Sequence, residues 1–193
     1  VGDGACDCAT VPAIVQRLVG RPVAEEFRPW ARLHDAGKGY GRKLLYAIRQ
    51  ARSLGQDGLV ATVDADGARY RERLGKIQQA RRDDRARSPA LPTAVGCAVP
   101  HAEAWLLDDP VAIRKAMNLD ASIRLPTVRD AASPKAEIDN LHGKSPRAGE
   151  PILDVLRDVA RQLDESRCAH AHETGFRDFA EDLRAEIVPL ADR

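Results

Sequence analysis

The sequence predicts an α/β fold, in which a mostly parallel sheet flanked by helices over residues 1–109 carries an α-helical extension over residues 110–193. The first observation behind this is a short apolar run, Leu59–Val63, which lies between Gly58 and Gly67 and is typical of a buried strand. The second is the alternation of strand and helix patterns up to residue 109. The third is a change after Asp109 to helical patterns alone. A chain of 193 residues is long enough to bury a core of its own.

The chain opens with Val1–Gly4, where we expect a first strand to end. We also expect a few apolar residues of that strand to precede the numbered chain. A helix follows, because apolar residues from Val11 to Val19 recur at helical spacing. Val23–Leu33 has weak strand character, and Pro29 predicts an edge strand or a broken one. Gly37–Gly41 is a glycine-rich loop that carries Lys38 and precedes a second helix.

The central strand ends in Asp64 and Asp66, which point to the same side because strand side chains alternate. Both lie at the carboxyl end of the strand, where open α/β sheets place their ligands. Two carboxylates this close repel each other unless a cation or a proton lies between them, and Mg²⁺ prefers such oxygen ligands. The alternative is a strand-to-helix turn in which one Asp caps the next helix, but a cap requires one Asp and not two.

A basic helix comes next, and it is followed by a strand over Thr93–Val99 that runs into Pro100–Leu107 with Glu103. From Arg69 to Arg87 there are seven Arg and one Lys against three acids, whereas Glu150–Arg193 holds eleven acids against six Arg. This asymmetry favours an anionic ligand near the middle of the chain and a solvated acidic flank near its end.

The four cysteines show no C-x-x-C spacing, and Cys6 and Cys8 lack the second close pair that a zinc site needs. We therefore expect a reduced, cytoplasmic protein. The sequence shows no signal peptide and no apolar run near the length of a membrane span, so we expect no membrane contact.

Acidic residues recur at three predicted strand ends. Because neighbouring strand ends of a parallel sheet open onto the same edge, these side chains can converge on one site. A phosphoryl-transfer centre with one or two metal ions needs such carboxylates, and the basic helix would lie beside it, where a polyanionic backbone must run. The candidate metal ligands, for Mg²⁺ or Mn²⁺, are Asp3, Asp7, Asp64, Asp66 and Glu103.

The segments Gly2–Asp7, Asp64–Asp66 and Pro100–Asp109 together resemble the TOPRIM (topoisomerase–primase) domain. The resemblance is to small bacterial TOPRIM-like proteins of unknown function related to the overcoming-lysogenization-defect nucleases, and it covers about residues 1 to 110. It implies magnesium-dependent cleavage of DNA or RNA, often in phage defence, with Asp3, Asp64, Asp66 and Glu103 as catalytic residues. Ser133–Lys135 also looks like a Pro-Lys pair of these proteins.

The chain departs from the TOPRIM pattern at Asp3, where that pattern has Glu. Asp can bind a metal ion, but it is one methylene shorter and less suited to reach a scissile phosphate as a base. Three functional hypotheses therefore remain. The first is a nuclease, the second is a non-catalytic module that binds nucleic acid or a partner ATPase subunit, and the third is a small-molecule phosphotransferase. The candidate nucleic-acid contacts are Lys38, Arg69, Arg73 and Lys135, and His101 is either a ligand or proton donor or a cap of the Glu103 helix.

Overall fold

The sheet lies at the centre of the computed structural model, which describes residues 1–65, 69–86 and 90–192. Strand β1 (Leu59–Asp64) pairs in parallel with strand β2 (Thr93–Ala98), in a register that runs from Leu59 opposite Thr93 to Asp64 opposite Ala98. The crossover between the strands contains helix α3 (Tyr70–Arg85), as parallel pairing requires. The predicted α/β class and the parallel pairing are confirmed for the described residues.

Val1 and Gly2 extend the sheet on the other side of β1. The Val1 amino group donates to the Val60 carbonyl at 2.7 Å, and the Thr62 N–H donates to the Val1 carbonyl at 2.9 Å. Gly2 forms an isolated parallel bridge with Pro29. Asp3 therefore leaves the sheet at the same edge as Asp64.

Of the two alternatives that Pro29 predicts for Val23–Leu33, the structure shows the broken strand. Only Pro29 bridges to the sheet, and the chain then turns into 3₁₀ helices over Trp30–Arg32 and His34–Ala36. Proline has no N–H to donate to a ladder, which explains why regular pairing stops there. Trp30 is buried and donates its indole N–H to the Thr62 carbonyl at 2.6 Å.

Helices cover both faces of the sheet. They are α1 (Ala5–Val19), α2 (Tyr40–Ser53), α3 (Tyr70–Arg85), α4 (Glu103–Leu107), α5 (Pro110–Met117), α6 (Pro134–Gly143), α7 (Ile152–Gln162) and α8 (Phe176–Glu186). Alternate strand residues face opposite layers: Ala61 and Val63 pack into one apolar cluster with α2 and α3, whereas Val60 packs against the cluster that holds α1 and the later helices.

The helices after residue 109 share one apolar core with α1 and β2. Helix α7 packs against α1, and α8 packs against β2. At the centre, the fully buried Trp105 stacks on Phe179 with ring centroids 4.8 Å apart. Gly96 of β2 lies directly under Phe179, and a Cβ atom at Gly96 would be 2.5 Å from Phe179 Cδ2. Within the described residues, no helix is both long enough and apolar enough to span a membrane.

Candidate metal centre

Four of the five predicted metal ligands lie together at the carboxyl edge of the sheet. Asp3 follows the bridge at Gly2, Asp7 lies in the first turn of α1, Asp64 ends β1, and Glu103 begins α4 after β2. Their charges act on one another, since the pKa of Asp64 is raised in part by the charges of the other three. The fifth, Asp66, lies outside the described residues.

Asp64 has a carboxylate oxygen that receives no hydrogen bond from the described protein groups. Burial, followed by the charges of Asp7 and Asp3, raises its pKa to about 7, and the charge of His101 opposes this. Its Oδ1 atom is buried and has no hydrogen-bond partner in the described structure. A buried carboxylate oxygen without a donor is costly, and a cation or a proton at that position would remove the cost.

Asp3 uses both carboxylate oxygens within the protein. Its Oδ2 accepts from the Asp64 backbone N–H at 2.6 Å, and its Oδ1 accepts from the Tyr40 hydroxyl at 3.0 Å. The Tyr40 ring meets Trp30 edge-on, with centroids 5.5 Å apart. Burial, then the nearby Asp3, raises the pKa of Tyr40 to about 12, so its hydroxyl stays a donor at neutral pH.

Asp7 is buried and is likewise held by two donors. The Thr62 hydroxyl donates to Oδ1 at 2.7 Å, and the Gly4 N–H donates to Oδ2 at 3.2 Å. Burial raises its pKa in spite of these bonds. Gly2 permits this packing, since a Cβ atom there would lie 2.6 Å from Asp7 Cβ.

Glu103 is paired with His101, whose Nδ1 lies 2.9 Å from Glu103 Oε2. This hydrogen bond raises the pKa of His101. Burial alone would raise the pKa of Glu103, but the His101 hydrogen bond and the other favourable contacts outweigh it, and the pKa is lowered. The predicted cap is not observed, because the N-cap of α4 is Ala102 and no side chain caps the helix, whereas the His101 ring contacts the side chain of a candidate ligand.

Two of the predicted nucleic-acid contacts approach the centre. The Arg73 guanidinium donates to the Asp64 backbone carbonyl and lies 5.8 Å from the centroid of the Tyr40 ring. Lys135 is exposed, and its charge acts on His101 strongly enough to oppose the rise in that residue's pKa. Arg69 and Lys38 are exposed. Arg73 and Lys135 thus bring positive charge to the centre from two different helices.

The charge pattern predicts an open cationic surface along the basic helix, but two arginines in the rest of this helix are paired with acids. Arg81 and Arg85 of α3 form ion pairs with Asp182 and Glu186 of α8, and Tyr70 donates to Asp178. Part of the acidic segment Glu150–Arg193, which was predicted to be a solvated flank, therefore neutralises arginines of α3. This pairing between residues about a hundred positions apart has no local sequence signal.

Tyr40 and Thr62 are the residues at this site that sequence reasoning missed. Tyr40 had a weak signal, because it lies within the glycine-rich segment Gly37–Gly41 that carries Lys38. Thr62 had a stronger signal, because it is a polar residue inside the apolar run of β1, and its hydroxyl binds Asp7.

The described carboxylates do not form a complete set of ligands for a metal ion. Within the described parts of the chain, no group of three or more His, Cys, Asp or Glu side chains is arranged to hold a metal ion as it stands. Asp3 and Asp7 are turned toward protein donors, and Asp64 Oδ1 alone is a buried side-chain oxygen of this cluster without a donor. The unpaired oxygen and the surrounding negative charge fit a divalent cation bound at Asp64.

Comparisons of the chain with protein-family models, with curated proteins and with solved structures found no match.

Proposed function

We propose that the protein is a Mg²⁺- or Mn²⁺-dependent nuclease of the TOPRIM type, which hydrolyses phosphodiester bonds of DNA or RNA. The observation that carries this proposal is the buried, unpaired Oδ1 of Asp64 within a cluster of three further carboxylates. The parallel strands that end at this cluster and the resemblance of the surrounding segments support the TOPRIM assignment. A role in phage defence follows from the same resemblance, and a cytoplasmic location from the cysteine pattern.

Asp64 and Glu103 would hold the ion, with Asp3, Asp7 and Asp66 as the further candidate ligands. A bound divalent ion would neutralise phosphate oxygens and lower the pKa of a water nucleophile. The hydrogen bonds from Tyr40 and Thr62 orient Asp3 and Asp7, so their oxygens reach the ion only through a second lone pair or a side-chain rotation.

The substrate backbone would pass between Arg73 and Lys135. Arg73 is bonded to the backbone of Asp64 and the charge of Lys135 reaches His101, so both would compensate the negative charge of the centre when a phosphate approaches. Arg69, at the exposed start of α3, and Lys38, in its glycine loop, would contact phosphates farther along the strand. His101 would hold a proton beside Glu103, where a leaving oxygen could receive it.

The test is a nicking assay on supercoiled plasmid and on single-stranded RNA, with Mg²⁺ or Mn²⁺, comparing the wild type with an Asp64→Ala/Asp66→Ala variant. The matched control is Asp57→Ala/Asp139→Ala, which removes two exposed aspartates away from the cluster. Cleavage that needs the metal and is lost only in the first variant is the expected result. Metal binding that is unchanged in Asp64→Ala would refute the site.

The second candidate is a non-catalytic module of the same fold that binds nucleic acid or an ATPase subunit. It is favoured by Asp3, whose two oxygens are both engaged by protein donors and whose side chain is shorter than the Glu of the TOPRIM pattern. It predicts metal binding at Asp64 and salt-dependent binding of nucleic acid, with no cleavage under any of the assay conditions.

A further inference from the structure

Helix α2 carries a positive charge that the described acids balance only in part. Residues 29–53 include six Lys or Arg and one acid, and that acid precedes the helix, so α2 itself contains no acid. Two of the cations have partners, since Lys43 donates to the Trp30 carbonyl at 2.8 Å and Arg52 pairs with Asp84 of α3. The other four are exposed, and their side chains form no ion pair with a described residue: Arg32, Lys38, Arg42 and Arg49.

Two of these arginines lie on the solvent-facing side of α2 with an aromatic residue between them. Arg42 and Arg49 are seven residues apart, close to two helical turns, so they share one face. The buried Leu44 and Ile48 face the core from the opposite side. Tyr46 is half-buried and lies four residues after Arg42 and three before Arg49, which is the spacing of neighbours on one helix face. Arg42, Tyr46 and Arg49 therefore form a stripe of roughly 10 Å along the helix, which we call the α2 stripe.

The α2 stripe begins at the same edge of the sheet as the carboxylates. Helix α2 starts at Tyr40, whose hydroxyl donates to Asp3 at 3.0 Å. Arg42 lies against the glycine loop that carries Lys38, because a Cβ atom at Gly37 would be 3.7 Å from Arg42 Cδ. A polyanion that leaves the candidate metal centre along α2 would therefore pass Lys38 and Arg42.

The helix then runs away from the carboxylates toward the opposite edge of the sheet. Ala51, near its end, lines a cavity together with Leu59, which begins β1. Arg49 is thus farther from the centre than Arg42. A chain of phosphates that follows the α2 stripe would have one end at the carboxylates.

Several cations of the basic helix α3 are already neutralised. Arg81 and Arg85 pair with acids of α8, and Lys76 pairs with Glu72. Helix α2 packs against α3 and β1, and its outer arginines meet no such acids among the described residues. The charge count of the sequence favours α3 as the binding helix, whereas the contacts leave the outer arginines of α2 open.

A flexible polyanion with aromatic groups fits the α2 stripe. Guanidinium groups bind phosphates through charge-assisted hydrogen bonds. An aromatic ring between two such groups can stack on a nucleobase, as it does in proteins that bind single-stranded nucleic acid. The bases of a duplex are stacked on one another and leave no free face for the ring. The stripe therefore fits a single strand better than a duplex.

We propose that the α2 stripe binds single-stranded nucleic acid, with phosphates on Arg42 and Arg49, a base stacked on Tyr46, and Lys38 on the phosphate nearest the centre. It would hold the part of the substrate that extends from the carboxylates over the outer side of α2. The proposal rests on the proposed function for the class of its ligand. Its position rests on the contacts of α2, and binding there needs no metal ion.

The first experiment measures binding of a labelled oligothymidylate by fluorescence anisotropy in EDTA, which separates binding from metal binding and from cleavage. Arg42→Ala/Arg49→Ala should weaken binding roughly tenfold at about 0.1 M salt, and should lower the slope of log K against log salt concentration by roughly 1.4. The matched control, Arg17→Ala/Arg124→Ala, removes two exposed arginines outside α2 and α3 and should change the slope less.

Variants of Tyr46 test the stacking. Tyr46→Leu removes the ring and keeps apolar contact with the core, so its affinity for the oligothymidylate should fall roughly tenfold. Tyr46→Phe keeps the ring and should bind within about twofold of the wild type. A duplex of the same length should bind equally to both variants. Equal Tm values for the two variants would exclude a loss of the fold as the cause of weaker binding.

Three outcomes would overturn the proposal. They are equal salt slopes for the two double arginine variants, equal affinity of Tyr46→Leu and Tyr46→Phe for the oligothymidylate, and binding of phosphatidylserine vesicles through Arg42 and Arg49 without binding of the oligonucleotide. The last outcome would assign the α2 stripe to an anionic lipid surface.

The Kd for Mn²⁺ separates this proposal from the proposed function. The variants of the α2 stripe should keep the Kd of the wild type, because they leave the carboxylates in place. An Asp64→Ala variant that also keeps this Kd would refute the metal site, while loss of oligothymidylate binding in Arg42→Ala/Arg49→Ala would still support the α2 stripe.

Discussion

The carboxylate of Asp3 accepts a hydrogen bond of 2.6 Å from the backbone N–H of Asp64, which lies 61 positions later in the chain. This bond ties the first turn after Gly2 to the end of β1. It also brings two negative side chains together, because the donor residue carries a carboxylate of its own. The electrostatic strain that results is concentrated at Asp64, whose Oδ1 has no donor in the described structure.

The stability of the metal-free protein should fall as pH rises from about 4 to about 7. Burial and the neighbouring carboxylates raise the pKa of Asp64 from 3.8 to about 7 in the folded state. Over that interval the folded state keeps a proton that the unfolded chain has released, so the folded state is favoured at the acidic end and loses the advantage above pH 7. We expect a loss of about 4 kcal/mol in the free energy of unfolding from this group, measured by urea denaturation at several pH values.

Asp64→Asn is the control for this pH dependence. The variant has no proton to lose at this position, so its free energy of unfolding should be flatter over the same interval and higher than that of the wild type at pH 7.5. Saturating Mn²⁺ should stabilise the wild type at pH 7.5 and leave Asp64→Asn unaffected. A variant that keeps the full slope would show that Asp64 is not the titrating group.

Tyr40→Phe should weaken metal binding more than it weakens the fold. The variant removes the hydroxyl that orients Asp3 at 3.0 Å and keeps the ring against Trp30. Groups that orient metal ligands typically contribute 10- to 100-fold in affinity, so we expect roughly a tenfold rise in the Kd for Mn²⁺. The loss in unfolding free energy should be about 1 kcal/mol. Titration calorimetry measures the Kd, and Tyr46→Phe on the same helix is the matched control.

Gly96→Ala should destabilise the protein by about 2 kcal/mol, because the added methyl overlaps the Phe179 ring in a packed core. Gly75→Ala is the opposite case, since a Cβ atom there meets nothing within 4 Å and the position lies inside α3. That variant should gain about 0.5–1 kcal/mol, as glycine is a poor residue within a helix. Urea denaturation of both variants tests whether α8 packs on β2 as described.

Arg73→Ala should reduce nucleic-acid affinity and lower the slope of log K against log salt concentration by roughly 1, the expected effect of one lost phosphate contact. Arg82→Ala removes an exposed arginine farther along α3, where its guanidinium contacts Gln79, and should change the slope less. Fluorescence anisotropy with a labelled oligonucleotide at four salt concentrations distinguishes the two. Equal slopes for both variants would place the binding track elsewhere.

The parts of the fold that sequence reasoning predicted are those with local signals. β1 was recognisable because an apolar run with β-branched residues lies between glycines, and Asp64 and Glu103 were recognisable because acids follow strands. For Val23–Leu33 the sequence left two alternatives, an edge strand or a broken one, and Pro29 was the local signal for the broken strand that is observed. The TOPRIM assignment remains a prediction.

The missed features depend on contacts between distant parts of the chain. Tyr40 reaches Asp3 across 37 positions, and Arg81 reaches Asp182 across 101 positions. Neither separation corresponds to a helical or strand period, so no window of the sequence shows it. The orientation of Asp7 toward Thr62 likewise depends on how α1 docks on the sheet.

The ion pairs between α3 and α8 reduce the positive charge that the protein presents to polyanions such as RNA. Asp182 and Glu186 neutralise Arg81 and Arg85, so these two arginines add little to the positive field of α3, whereas Arg73 near its start and the exposed Arg82 still contribute to it. Loss of α8, by proteolysis or by local unfolding, would leave Arg81 and Arg85 without these counter-charges. On the proposed function, we expect this loss to raise the non-specific affinity for RNA, so that α8 would favour binding at the end of the sheet.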